Sequence, residues 1–467
     1  MSKLPEKHQF VSFDGGVSRQ GELFLPDQRA DVSNCQSYYR GDESAGVIAR
    51  GAGMSFSAAS FGSDVLSVDM RQLKRIEVLE PKSETVTVEA GVSVGALLQF
   101  LIANGFHLPI LPGYPTITIG GCIAADVHGK NQPKDGCFSS QLLSFKLHHV
   151  DYGELEVSRV SNSDIFNLSL GGFGLTGTIL SVTLNVASLP ARFVDSYVEP
   201  IADISQLPET LATRSQNSDF VLSWHDFNQT GSRFGSGYLQ WAQFPRCNDE
   251  TAQETADLIY PLKLDKLPMS PLTLTPDNRG AQFAPLLNNF LTVGGMNSVY
   301  DSLQKFQCGS ARRLPVECCY FPNKTLRDLY FHAFGKKGLF EHQVIIPNER
   351  FTDYIDRVRW WLARNDLPIT IASAKMFNAE EYLLRFSASG ICFALDFPRC
   401  EQGMHFLRFL DAVTVELGAL PNIFKDSRLP RDVVEATYSG YEDFRKRLRQ
   451  YDPKRRYKSE LSQRLEV

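Results

Sequence analysis

The residues of this chain with a capacity for chemistry sit in three glycine-dense segments of its first half. Arg50-Gly-Ala-Gly-Met-Ser-Phe-Ser57 follows a short apolar run, Val47 to Arg50, that reads as a buried strand. Glycines behind a strand let backbone N–H groups approach a pyrophosphate closely. A Rossmann site needs a third glycine, an amphipathic helix and an acidic residue about 20 positions on. Here Ala58-Ala-Ser-Phe-Gly-Ser63 follows, small and polar with no helical face. The segment is a phosphate-cradling loop without the Rossmann helix, or, taken alone, a structural turn. The second segment, about 65 residues on, runs from Leu111-Pro-Gly-Tyr-Pro115 through Gly120-Gly121 and a run of small residues to His128-Gly-Lys-Asn131. Small residues let a planar ring or a pyrophosphate lie against the backbone, and the polar cluster then sits beside that ring. The third, Leu170-Gly-Gly-Phe-Gly-Leu-Thr-Gly177, leads into a strand. Three such turns in one half-chain suggest one large anionic cofactor wrapped by loops.

The elements that must position these turns are mixed. Asp64 to Asp69 and Glu84 to Ala90 alternate with period two, as strands do. Ser93 to Asn104 spaces Val94, Leu97, Leu98, Leu101 and Ile102 as a helix, with Ser93 as its N-cap. Leu143 to Val160 reads as a hairpin, Ser163 starts a short helix, and Gly177 to Val186 is a strand. After Ser188-Leu-Pro190 the texture changes. Residues 191–420 hold all four tryptophans, with strands at Gln343 to Pro347 and Ile391 to Asp396 and helices at Arg350 to Arg364 and Met404 to Leu417. The tail, 421–467, is basic, with one helix expected from Asp432 to Arg449 and a stop at Asp452-Pro453.

Composition narrows the class. A chain of 467 residues exceeds one compact core and suggests two or three domains. A net charge of −5 argues against a general nucleic-acid or membrane-coating surface. Nine scattered cysteines without a CxxC pair read as reduced thiols of a cytoplasmic protein. No apolar run approaches the roughly 18–20 residues that span a bilayer, so any membrane contact is expected to be peripheral, at the inner face. His148 and His149 lie on one strand and point to opposite faces, and no metal site is expected.

Together the three segments resemble the PCMH-type FAD-binding domain of the vanillyl-alcohol-oxidase superfamily. Within it, His128-Gly-Lys-Asn131, Phe424-Lys-Asp-Ser-Arg428 and the Asp452-Pro453, Ser459 and Arg464-Leu465 ending are similar to the oxidase component of decaprenylphosphoryl-β-D-ribose 2′-epimerases. The resemblance implies an α+β fold: a two-subdomain FAD-binding domain over 1–190, an α+β substrate domain with an antiparallel sheet over 191–420, and a tail, 421–467, returning to the FAD domain. Carried over by position, Arg50, Gly51, Ala52, Gly53, Met54, Ser55, Phe56 and Ser57 would hold the pyrophosphate. Pro112, Gly113, Thr118, Gly120, Gly121, Cys122, Ala125, His128, Asn131, Gly174, Gly177 and Ile179 would line the flavin. Residues 50–60 contain no His or Cys, so FAD is expected to be non-covalent, with Cys122 and Cys137 as remote attachment points.

The same resemblance implies oxidation of a sugar hydroxyl. Lys425 would reach the substrate side of the ring, either as a base with lowered pKa or as a charge that stabilises alkoxide or reduced flavin. His128 would share the proton work or hydrogen-bond the flavin. Gln343, Glu341 and Ala394 would meet substrate. Lys130, Lys134 and Arg428 either neutralise a substrate phosphate or are solvated charges. The implied substrate is a polyprenyl-phosphate-linked pentose oxidised at C2′, with a short-chain NAD(P)H reductase completing an epimerisation. Departures from the subfamily put the sugar in doubt: Ala394 replaces a cysteine, Phe56 a tyrosine, Glu341 a glutamine and Gln132-Pro133 two histidines. Oxidation of a free sugar, aldonolactone or alditol, and a flavin-binding protein without activity, stand as alternatives.

Overall fold

The computed structural model describes residues 4–38, 45–245, 289–322, 330–331 and 333–467. Its first sheet contains β1 (Glu6–Val11), β2 (Ser18–Phe24), β3 (Gly46–Arg50) and β4 (Val65–Asp69), in the order β1-β2-β4-β3. β1 and β2 pair antiparallel, while β2 and β3 both run parallel to β4.

The second sheet is antiparallel and holds β5 (Ile76–Glu80), β6 (Thr85–Glu89), β8 (Leu142–His149), β9 (Gly153–Ser158) and β10 (Thr178–Asn185). Its order is β5-β6-β10-β8-β9, and the two-residue strands β7 (Phe106–His107) and β11 (Ala187–Ser188) pair beside it. The helix Val94–Ala103 covers this sheet, its Ser93 cap accepting from the Ala96 N–H at 3.3 Å. Leu97, Leu98 and Leu101 have no exposed surface, and each contributes about 1.5–3 kcal/mol through burial.

The third sheet is antiparallel and the largest. It holds β12 (Phe193–Ile201), β13 (Phe220–His225), β14 (Gly237–Gln243), β15 (Arg312–Pro315), β16 (Leu339–Ile346), β17 (Ile371–Phe377), β18 (Gly390–Pro398) and β19 (Leu420–Pro421). Their order is β15-β12-β14-β13-β17-β18-β16-β19. All nine residues of β18 are buried, because the sheet is a middle layer. Strand residues alternate between faces. One face presents Val344, Ile346, Ala372, Ala374, Phe393 and Leu395 to a single apolar core with the helices Phe351–Leu362 and Glu401–Glu416. In the first of these helices Phe351, Tyr354, Ile355, Val358 and Trp361 fall on one side, and all five are buried. By the same alternation the opposite face presents Glu341, Gln343, Ser373, Lys375, Ala394 and Asp396. This second face is mixed, since Ile345, Phe377 and Cys392 share it, and its buried charged groups need partners of their own.

The tail leaves the third sheet and closes on the first two. Val47 forms a parallel bridge with Tyr457, whose hydroxyl donates to the His148 carbonyl at 3.0 Å. The Tyr451 hydroxyl donates to the Thr176 carbonyl at 3.0 Å, and the Glu460 N–H to the Phe61 carbonyl at 2.9 Å. The single helix expected from Asp432 to Arg449 is two, Arg431–Thr437 and Tyr441–Tyr451. The break lets Gly440 press on Leu383, where a Cβ would come within 2.5 Å of the Leu383 Cα. It also turns Tyr438 inward to donate to the Pro421 carbonyl at 2.6 Å. Among the described residues no helix is long and apolar enough to cross a membrane, and no His, Cys, Asp and Glu cluster suits a metal ion.

Candidate active site

The three glycine-dense turns meet. β3 ends at Arg50, and the loop that follows lies against the start of the helix Ile119–Ala125. Position 51 favours glycine, since a Cβ there would fall 2.2 Å from the Thr118 Oγ1. That hydroxyl caps the helix by accepting from the Gly121 N–H at 3.3 Å. The N–H groups of Ile119 and Gly120 donate to the Val92 and Ala90 carbonyls, both at 2.8 Å, which docks the second turn on the second sheet. The third turn enters β10 through Gly177, where φ is +143° and a Cβ would lie 2.8 Å from the His148 carbonyl. Between the turns runs a cleft lined by Arg50, Gly51, Ala52, Gly53, Met54, Ser55, Phe56, Thr118, Gly120, Gly121, Ala125, Gly174, Gly177 and Ile179, with Phe424 and Lys425 from the tail.

This lining suits a flat dinucleotide. Among the described residues its walls are mostly backbone, alanine and apolar side chains, its charged members are Arg50 and Lys425, and no carboxylate joins it. Arg50 works from beneath: its Nη1 donates to the Ser60 Oγ at 2.8 Å, and the guanidinium lies over the Phe10 and Phe61 rings at 5.3 and 5.9 Å. Burial lowers its pKa only to about 10, so it stays cationic under the loop. Ser57 is buried behind the loop, its Oγ sharing a hydrogen bond with the Ser55 Oγ at 2.8 Å.

The polar face of the third sheet meets the cleft through Lys425. Asn422 anchors the turn Ile423–Lys425: its N–H donates to the Gln343 carbonyl at 2.8 Å, and its side chain bonds the Gln343 side-chain oxygen. That turn sets the Lys425 Nζ 3.0 Å from the Glu341 Oε2 and 4.8 Å from the centre of the Phe56 ring. Burial pulls the Lys425 pKa down, but the Glu341 charge, its hydrogen bond and Asp396 outweigh that and raise it. Lys425 is therefore an ammonium, and the lowered-pKa base is set aside. Asp396 stands opposite Glu341 across β16 and β18. Burial and then repulsion from Glu341 raise its pKa to about 8, against the hydrogen bond that the Tyr330 hydroxyl donates at 2.8 Å.

Several residues singled out from the sequence lie elsewhere. Cys122 is in the apolar core, and Asn131 spends its side-chain N–H on the Pro109 carbonyl at 2.9 Å. Pro112 is buried at its turn. Gly113, His128 and Lys130 line a separate small cavity with Lys375 and Tyr320. His128 packs edge-on against Phe377 at 4.7 Å, and burial, with Lys375 and Lys425, holds it neutral. The Lys130 Nζ donates to the Cys319 carbonyl at 2.6 Å, and burial lowers its pKa to about 8. Lys134 pairs with Asp219 at 2.5 Å on the surface, and Arg428 is held by Asp411 and Asp426. None of the three reaches the cleft. Neither Cys122 nor Cys137 lines it. Sequence reading missed Phe13, Tyr114 and Phe331 in the lining, and Tyr330, Lys375, Asp396 and Asn422 around it. Asp396 had a signal, since a carboxylate in an otherwise apolar run, Ile391 to Phe397, is costly unless it has work to do.

Fold and cleft together resemble those of flavoprotein oxidoreductases with a PCMH-type FAD-binding domain. Residues 22–157 match the family described as FAD binding domain, and the protein is an FAD-dependent oxidoreductase. The chain is similar to the decaprenylphosphoryl-beta-D-ribose oxidase of Mycolicibacterium smegmatis, 26% identical over 435 residues, which is 90% of this chain and 89% of that one. It is similar also to the mitochondrial L-galactono-1,4-lactone dehydrogenase of Arabidopsis thaliana, 22% identical over 65% of this chain and 54% of that one. The L-gulonolactone oxidase of Mus musculus is 31% identical over 122 residues, 26% of this chain and 28% of that one.

Proposed function

We propose that this protein oxidises a sugar hydroxyl, and specifically C2′ of a polyprenyl-phosphate-linked pentose to a keto sugar. The observation that carries the reading is the Lys425 ammonium, which lines the cleft and is fixed by Glu341 on the polar sheet face. Similarity to the decaprenylphosphoryl-beta-D-ribose oxidase along nearly the whole of both chains supports the lipid-linked pentose. The contacts proposed for FAD are the cleft-lining residues named above, with the pyrophosphate at Gly51 to Ser55. FAD, when bound, accepts the hydrogen and electron pair of a substrate C–H bond.

The chain's own residues do the rest. Lys425 donates a hydrogen bond to the hydroxyl oxygen and stabilises the negative charge that grows there as the C–H bond breaks. Glu341 and the Phe56 ring hold the ammonium in place, so little reorganisation accompanies that charge. Gln343, its carbonyl taken by Asn422, has its amide N–H2 left to offer the sugar. Ala394, opposite Gln343, leaves room where a larger side chain would stand. A keto product would need a second hydride donor, such as a short-chain NAD(P)H reductase, to complete an epimerisation. A lipid carrier resides in a membrane, so the reading includes peripheral contact with its inner face.

Similarity to two aldonolactone enzymes favours a second reading, oxidation of a free aldonolactone. Anaerobic mixing with each substrate separates the two. Polyprenyl-phosphoryl-ribose is expected to bleach the bound FAD. Bleaching by L-galactono-1,4-lactone alone would move the assignment to the second reading, and bleaching by neither would leave a flavin-binding protein without this activity.

A further inference from the structure

Oxidising an alcohol releases a proton as well as a hydride equivalent, and Lys425 cannot take that proton while it is itself an ammonium. Lys425 donates to the carboxylate of Glu341 at 3.0 Å. Behind Glu341 the sheet places a second carboxylate: Asp396 is its cross-strand partner in the register of β16 and β18. Directly opposed residues in an antiparallel pair share a face, with side chains about 4.5–5.5 Å apart at Cβ. Asp396 is tied in turn to Tyr330, whose hydroxyl donates to the Asp396 Oδ2 at 2.8 Å and shares a second hydrogen bond with the Thr370 Oγ1 at 2.9 Å.

We propose that Glu341 and Asp396, stacked behind Lys425 on the polar face of the third sheet, form the relay that takes up the proton lost by the substrate hydroxyl. The step balances as follows. The C–H hydrogen leaves with its electron pair to FAD, the oxidant. Lys425 gives one of its protons to the Glu341 Oε2, which frees the amine lone pair, and the substrate O–H bond breaks as its proton passes to that lone pair. The carbonyl forms from the alkoxide electrons, Lys425 ends as it began, and the pair holds one proton more. This rests on the reading of the cleft as an alcohol-oxidising flavin site.

The groups facing the pair come from every neighbouring element. Lys425 is on the Ile423–Lys425 turn, Tyr330 on the segment beside the cleft, Lys375 on β17 and Cys392 on β18. Asp396 keeps its proton up to about pH 8. At neutral pH that site is therefore filled, and the relay has room for the substrate proton there only once it empties. The rate of FAD reduction should rise with pH through that range.

Glu341→Gln tests this. It keeps the shape and a hydrogen bond to Lys425 but removes the acceptor. The variant is expected to retain FAD, to lose about 10²-fold in the rate of FAD reduction at neutral pH, to change KM far less than kcat, and to lose the rise near pH 8. A second readout needs no turnover. In the infrared difference spectrum of the resting holoenzyme, a protonated-carboxyl band should disappear near pH 8, be absent in Asp396→Asn, and shift to lower pH in Glu341→Gln, where the repelling neighbour is gone. FAD reduction by Glu341→Gln at the native rate with the native pH profile would overturn the relay. So would an infrared band that neither variant changes. If native protein is reduced by no sugar while the infrared titration behaves as described, the functional reading has failed and the relay falls with it.

Discussion

The cofactor cradle and the sheet face that closes over it are built by opposite means. The cradle works with backbone: Gly51, Gly120, Gly121, Gly174 and Gly177 line it because a side chain at several of these positions would strike a neighbour or fill the cleft. The sheet face works with side chains: Lys425, Glu341, Asp396 and Lys375 lie on strands and a short turn, and their meaning comes from what crosses from the next strand. On the proposed function, the first design fixes what is bound and the second what is done to the molecule laid against it. Damage to one should therefore leave the other measurable.

The largest effect expected from breaking the cradle is Gly51→Leu. Its Cβ would meet the Thr118 Oγ1 at 2.2 Å, so FAD affinity should fall tenfold or more, about 1.4 kcal/mol at least. Fluorescence titration of the apoprotein with FAD reads it, and native affinity would mean that the loop does not touch the cofactor. On the sheet side, Lys425→Met should keep the yellow colour while lowering the rate of FAD reduction by about 10²–10³. Colour and rate lost together would erase the division between the two regions.

A third expectation concerns the interior of the large sheet. Burial holds the His225 pKa at about 4 and the His342 pKa at about 3, against an ordinary 6.5. Both histidines are neutral when folded and bind protons more readily when unfolded. Their stabilisation is complete above pH 6.5 and is lost as pH falls through 4 and then 3. His225 alone accounts for ~3 kcal/mol of that loss. Chemical denaturation across this range should show the slope, and His225→Gln should flatten part of it. The smallest effect is Lys134→Ala. Its pair with Asp219 is exposed, so stability should change by about 0–1 kcal/mol and the reduction rate not at all. A slower reduction would return Lys134 to the substrate.

The contrast also explains what could be read from the chain. Strands such as Glu84 to Ala90 and the helix capped by Ser93 follow from local periodicity, and β6 and the helix Val94–Ala103 stand where the pattern puts them. Glycine turns are equally local, because the backbone that needs them is their own. Residues whose role depends on register were harder. Asp396 faces Glu341 only because β16 and β18 pair as they do, and Tyr330 reaches Asp396 from 66 residues away. His128 ends in a side cavity because Phe377 and Phe386 pack against its ring from distant segments. The break at Tyr438-Ser-Gly440 has a distant partner too, since Gly440 packs against Leu383.

The most direct test is an experimental structure of the FAD-loaded protein. The account predicts the pyrophosphate against Gly51 to Ser55 and the ring system ending beside Lys425, with Lys425 still bonded to Glu341. FAD bound away from these turns, or a ring whose reactive edge faces away from Lys425, would contradict it.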